Sequence, residues 1–179
     1  MPADAEFDAY VAGNAQDGGA LVFGRVTYQM MASYWPSEMA RAADPIVAER
    51  MNGLPKFVFS RTLDAATWIN TTLLTGDPVV EIARLKRLDG PGLAILGSGS
   101  LVGPLAAAGL VDELTLVVNP IVLGGGRTLF ESIDRPFTLE LTGSRIFANG
   151  KVVLSYRPPG QQVDSSGGPK GQPRSTSRV

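Results

Sequence analysis

Three apolar runs in this 179-residue chain end in residue types that could bind phosphate. Ala20-Leu21-Val22-Phe23 runs into Gly24-Arg25, with Thr27 just beyond. Leu93-Ala94-Ile95-Leu96 runs into Gly97-Ser98-Gly99-Ser100. Where a buried strand turns through glycine into a helix, the first N–H groups of that helix have no partner, and such groups hold phosphate oxygens. Arg25 adds a fixed positive charge at the first turn and Thr27 a hydroxyl. Ser98 and Ser100 add hydroxyls at the second. Two such helix starts suit a pyrophosphate held between them. The third run, Lys56-Phe57-Val58-Phe59, ends in Ser60-Arg61-Thr62. A hydroxyl and an arginine at a strand end, in place of an acid, suit a 2′-phosphate and favour NADPH over NADH. Each feature also has a plainer reading. Glycine turns easily, and Arg61 can simply face water. Gly-Ser-Gly-Ser falls short of G-x-G-x-x-G, and no acid closes a strand about 20 residues later, so the usual dinucleotide fold is disfavoured.

Composition narrows the chemistry further. The chain has no cysteine and no histidine. Disulfides, iron–sulfur clusters, thiol nucleophiles and Ser-His-Asp catalysis are therefore excluded, and no metal site is expected. Any reaction must use a carboxylate, lysine, tyrosine or hydroxyl, or the chemistry of a cofactor. A formal net charge of -1 gives no broad basic face for nucleic acid. No apolar run approaches the roughly 20 residues that span a bilayer, so no membrane partner is expected. The acidic N-terminus carries no signal-peptide pattern, and the cytoplasm is the default location.

The elements that must position these turns alternate along the chain. Residues 5–16 read as a helix carrying Phe7, Tyr10 and Val11. A buried strand over 20–23 is followed by a helix that Pro36 ends. A mixed segment follows, with a helix near 45–51, a strand over 56–60 and a third strand over 66–70. Asp77-Pro78 starts a helix running to Leu88. The strand 93–96 precedes an alanine- and leucine-rich helix stopped by Gly109. After Asp112 the grammar changes. A strand over 114–118 leads through residues 119–123 to Gly124-Gly125-Gly126. Two further strands, 138–147 and 151–156, join at Asn149-Gly150, a strong hairpin signal. This order predicts one α/β domain over residues 1–157, a mixed sheet flanked by helices and antiparallel at its C-terminal end. Residues 158–179 lose their apolar content and read as a disordered tail.

The stretches GRVTY, FSRT, ILGSGSL and LVDELTLVVNPIVLGGGRTLF, in this order, resemble the dihydrofolate reductase-like proteins. Among these the match is to the reductase domain of bacterial riboflavin biosynthesis, the RibD C-terminal domain group. The resemblance covers nearly all of residues 5–157. It implies a central mixed sheet that binds NADPH along its edge. Gly24, Arg25 and Thr27 would then lie at the pyrophosphate, and Ser60 and Arg61 near the 2′-phosphate. Gly97, Ser98, Gly99, Ser100 and Leu101 would form a second phosphate loop. Leu101, Leu105 and Leu110 also read simply as core. Members of this family normally begin with an apolar strand and a loop over the nicotinamide. This chain starts near the helix that follows them, so the first strand is expected to be missing.

The implied activity is an NADPH-dependent reduction of a small heterocycle, pterin-like or ribosylaminopyrimidine-like. Asp8 is the candidate catalytic carboxylate; it also reads as part of an acidic first turn that complements its helix dipole. Gly124-Gly125-Gly126 is a second place for substrate, or a bulge, with Arg127 beside it. Tyr28, Tyr34 and Trp35 read as core and groove aromatics. Apolar residues from Leu114 to Leu123 suggest self-association, and the family resemblance implies a homodimer. The rival readings are a nucleotide-binding or oligomeric protein that has lost catalysis and a flavodoxin-like FMN binder.

Overall fold

The computed structural model describes residues 5–14, 19–90, 92–126, 128–130, 133 and 136–160. The chain opens with helix α1 (Ala5–Asn14) and enters strand β1 (Ala20–Gly24). Helices α2 (Arg25–Tyr34), α3 (Glu38–Ala43) and α4 (Pro45–Gly53) lead to β2 (Lys56–Phe59) and β3 (Thr71–Leu74). Helix α5 (Pro78–Leu85), strand β4 (Leu93–Ile95) and helix α6 (Gly99–Ala107) follow. The chain ends in β5 (Leu114–Val118), β6 (Glu140–Ile146) and β7 (Val152–Arg157).

The α/β architecture with an antiparallel end is as expected, with the strands hydrogen-bonded as two sheets. One is parallel, in the order β3-β2-β1-β4, and the other antiparallel, in the order β5-β7-β6. In the parallel sheet Leu21, Phe23 and Val58 meet Tyr28, Met51 and Trp68 on one face. Val22, Phe59, Ile82, Leu101 and Leu105 form the core on the other. Such continuous apolar strands suit a sheet covered on both faces.

Helix signals in the sequence have visible causes here. The Asp77 carboxylate accepts from the N–H groups of Val79 and Val80, with Pro78 at the first helical position. α5 stops at Leu85, and residues 86–88, expected to be helical, form a turn. α3 was not anticipated; its start is capped by Ser37, whose hydroxyl accepts from Ala40 N–H at 3.2 Å. Past α6, Gly109 at φ +69° lets Leu110 N–H reach back to the Leu105 carbonyl at 2.9 Å.

One expectation needs correction. Residues 66–70 are not a strand; β3 begins at Thr71. Trp68 is pulled inward instead. Its backbone N–H donates to the Tyr28 hydroxyl at 2.9 Å and its indole N–H to Asn52 Oδ1 at 2.7 Å. Asn70 then reverses the chain at φ +58°. The Asn149-Gly150 hairpin forms as expected, around a three-residue loop. Phe147 N–H donates to the Lys151 carbonyl, Gly150 N–H donates back to the Phe147 carbonyl, and Gly150 sits at φ +82°. The tail from residue 161 onward lies outside the described residues.

Lys56 is 1% exposed although it opens a strand. Its ammonium donates to the carbonyls of Asn52, Leu54 and Ile69 at 2.6 to 3.1 Å and lies 4.6 Å from the Trp68 ring centroid. Burial pulls its pKa from 10.5 down to about 8. It ties the end of α4 to the loop ahead of β3, a structural role.

Candidate functional site

The two glycine turns, far apart in sequence, meet in space. Gly24 caps α2 and Ser98 caps α6, and Gly24 N–H donates to Ser98 Oγ at 2.9 Å across 74 residues. Neither helix start carries a side-chain cap of its own. Both helix starts thus stand at one junction, and no acidic residue stands in either first turn.

The turn at β4 is under strain. Gly97 adopts φ +64°, where its neighbour is Thr27; a Cβ there would lie 3.7 Å from that side chain. Ser98 itself adopts φ +48°, ψ +53°. A non-glycine residue held in the left-handed region costs on the order of 1–2 kcal/mol and persists where its surroundings hold it. Here the bond to Gly24 helps to hold it.

Above this junction lies a pocket of about 440 Å³ at the carboxyl ends of β1, β2 and β3. Gly24, Arg25, Thr27, Ser60, Arg61, Ser98, Ser100 and Leu101 all line it, so eight of the ten proposed cofactor residues share one cavity. Gly97 and Gly99 stand behind it as parts of the turn. Leu101 lines the pocket and also packs in the core beneath.

The polar side chains differ in how far they are engaged. Arg25 Nη1 donates to Gln29 Oε1 at 3.1 Å on the same helix. Ser60 Oγ accepts from the N–H groups of Thr62 and Leu63 at 3.1 and 3.0 Å, so it first shapes the turn and has only its own hydrogen left to donate. Arg61 is exposed and has no hydrogen bond or ion pair among the described residues. Among the described residues no carboxylate lines the pocket. The cavity therefore combines two guanidinium groups, hydroxyls and two open helix starts, a donor set for an extended phosphorylated ligand.

Sequence reasoning missed part of the wall. Thr62, Thr75, Gly76 and Pro78 also line the pocket. Gly76-Asp77-Pro78 had been read only as a helix start, yet the same turn closes the cavity beyond β3.

The other candidates lie elsewhere. Asp8 lies on α1, and its side chain is outside the described part of the structure. The α1 residues Phe7 and Tyr10 pack against Phe147, with ring centroids 5.1 and 5.6 Å away. Gly124-Gly125-Gly126 is exposed, and a Cβ added at any of the three would meet nothing within 4 Å. Arg127 is outside the described residues. Tyr28 is core, as expected, and Tyr34 stacks edge-on against Trp35.

The family model described as the RibD C-terminal domain matches residues 3–153. This chain belongs to that family. The uncharacterized protein YyaP of Bacillus subtilis (strain 168) is 28% identical over 137 residues, 76% of this chain and 72% of that protein. Among solved structures, a Shewanella sp. PV-4 protein provisionally named for riboflavin biosynthesis is 25% identical, with a TM-score of 0.64 over 87% of this chain and 80% of that one. A pyrimidine reductase-like protein from Corynebacterium diphtheriae shares the fold at 15% identity, with a TM-score of 0.57 over 87% of this chain and 82% of that one. The chain shares its fold with these proteins, and the pocket lies within the residues the family model covers. No helix among the described residues is long and apolar enough to cross a membrane.

Proposed function

We propose that this RibD C-terminal domain is an NADPH-dependent reductase acting on a small heterocyclic substrate. One observation carries the reading: Arg61, with no partner among the described residues, faces the same cavity as the helix starts joined by Gly24 and Ser98. The open first-turn amides of α2 and α6, with Arg25, Thr27 and Ser100, would hold the pyrophosphate. Arg61 and the remaining hydrogen of Ser60 would hold the 2′-phosphate. NADPH supplies a hydride when bound, which suits a chain with neither histidine nor cysteine. The chain's own contribution is to fix the cofactor and to replace water around its phosphates with preorganised donors.

A binding protein without turnover is the second reading. It is favoured by the pocket lining, which holds no acid among the described residues, so that protonation of a substrate would fall to water or to a group elsewhere. In either case we place the protein in the cytoplasm as a homodimer. The exposed Val117, Val118, Leu141 and Ile146 of the antiparallel sheet support the dimer.

Titration with NADPH and NADH, followed by nicotinamide fluorescence, tests the first reading. Micromolar NADPH binding with clearly weaker NADH binding is expected. Equal, weak binding of both would refute it. Oxidation of bound NADPH by any of a panel of pterins and aminopyrimidines would separate reductase from binder.

A further inference from the structure

β1 and β4 run side by side for only a short way. Their ladder sets Ala20 opposite Leu93, Leu21 opposite Ala94 and Val22 opposite Ile95, and it ends there. On the other side of β1 the ladder with β2 continues through Gly24, which lies opposite Phe59. Gly24 is thus held toward β2 by the sheet itself. Toward β4 it is held, among the described residues, by the bond from its N–H to Ser98 Oγ. Beyond Val22 and Ile95, that bond sets how far apart the starts of α2 and α6 stand.

The residue type at position 98 is informative. Apart from glycines, only Asn70 and Ser98 among the described residues adopt a left-handed backbone. Asparagine tolerates that region, and the Asn70 amide also donates to the Gly53 carbonyl at 2.9 Å. Ser98 stands between Gly97 and Gly99, and glycine at position 98 would take the same conformation without strain. What serine adds is a hydroxyl, and its bonds lie within the junction. The oxygen accepts from Gly24 N–H at 2.9 Å, and the hydrogen points to the Leu96 carbonyl at a long 3.4 Å. Strain kept at one residue for one hydrogen bond points to a role for that bond in the adjoining pocket.

Resting on the reading of that pocket as an NADPH site, we propose that Ser98 is the positioning residue that selects a diphosphate. Its hydroxyl holds the start of α2 beside the start of α6 at the spacing at which two linked phosphates meet one helix start each. A single phosphate needs only one helix start, so its binding is indifferent to that spacing; a diphosphate needs both at once. Arg61, on the turn after β2, has no bond to this junction among the described residues and acts independently of it.

The test compares NADPH with adenosine 2′,5′-bisphosphate, which keeps the adenosine and the 2′-phosphate but carries a single phosphate at the 5′ position. Kd values for both are measured for the wild-type chain, Ser98→Ala and Ser98→Gly. NADPH binding is expected to weaken roughly tenfold in both variants, and bisphosphate binding to stay within about twofold. The glycine variant relieves the backbone without restoring the hydroxyl, so it separates strain from spacing. A purely structural role would make alanine worse than glycine, in step with melting temperature, and would weaken both ligands alike. That result overturns the proposal, and so does unchanged NADPH binding in the two variants. Failure of the underlying reading looks different: the wild-type chain would bind neither ligand, and reading and proposal would fall together.

Discussion

The parallel and antiparallel halves of this molecule bury their strands very differently. Val22, Phe23 and Val58, in β1 and β2, are fully buried, with helices on both faces. β6 is exposed along its whole length, Ile146 is 76% exposed and Val118 51%. β6 is largely polar in sequence, but β5, LTLVV, is as apolar as β1 and still leaves Val117 and Val118 exposed, so hydrophobicity alone does not decide burial; what packs over the strand does. The phosphate-ready pocket lies at the strand ends of the parallel half. The other half keeps exposed apolar side chains, Val118 and Ile146 among them.

The largest effect that could break this contrast is expected at Phe23. Phe23→Ala should lower stability by about 3–5 kcal/mol in urea unfolding, whereas Ile146→Ala should change it by less than about 0.5 kcal/mol in the monomer. A comparable loss at Ile146 would mean that the antiparallel face is covered in solution.

Lys56 sharpens the contrast through pH. Its pKa is lowered from 10.5 to about 8 in the fold, so between those values the unfolded chain binds the extra proton. Stability should therefore rise with pH from about 8 to about 10.5, by at most about 1.4 kcal/mol per pH unit, and show no Lys56 contribution to the slope below that window. Lys56→Met should remove the rise; an unchanged pH profile would show that Lys56 is not its source.

The smallest effect is expected at the joined turns. Ser98→Ala removes the acceptor for Gly24 N–H, a loss of about 0.5–1.5 kcal/mol, and keeps a Cβ in the left-handed region. Ser98→Gly loses the same bond but relieves the backbone, so it should be more stable than the alanine variant by about 1 kcal/mol. Equal melting temperatures for the two variants would show that the strained conformation is not retained.

The local parts of this account were legible in the sequence. Gly24-Arg25, Gly97-Ser98 and Asn149-Gly150 lie where a chain must turn, and the apolar runs beside them became strands. The contacts between distant segments were not. Nothing near Gly24 indicates that its N–H meets a hydroxyl 74 residues on. A tryptophan in an apolar stretch looks like a strand, yet Trp68 is held in a loop by Tyr28 and Asn52. A lysine opening a strand looks solvated, yet three carbonyls enclose Lys56. Thr75 and Gly76 became pocket wall only because β3 lies beside β2.

The most direct test of the central claim pairs one side chain with one phosphate. Kd values for NADPH and NADH are measured for the wild-type chain and for Arg61→Ala, closing a cycle between the guanidinium and the 2′-phosphate. The account predicts that Arg61→Ala weakens NADPH binding about 10- to 100-fold, as expected for a charge-assisted contact of about 1.5–3 kcal/mol, and leaves NADH binding unchanged. Equal effects on the two cofactors, or none on either, would contradict it.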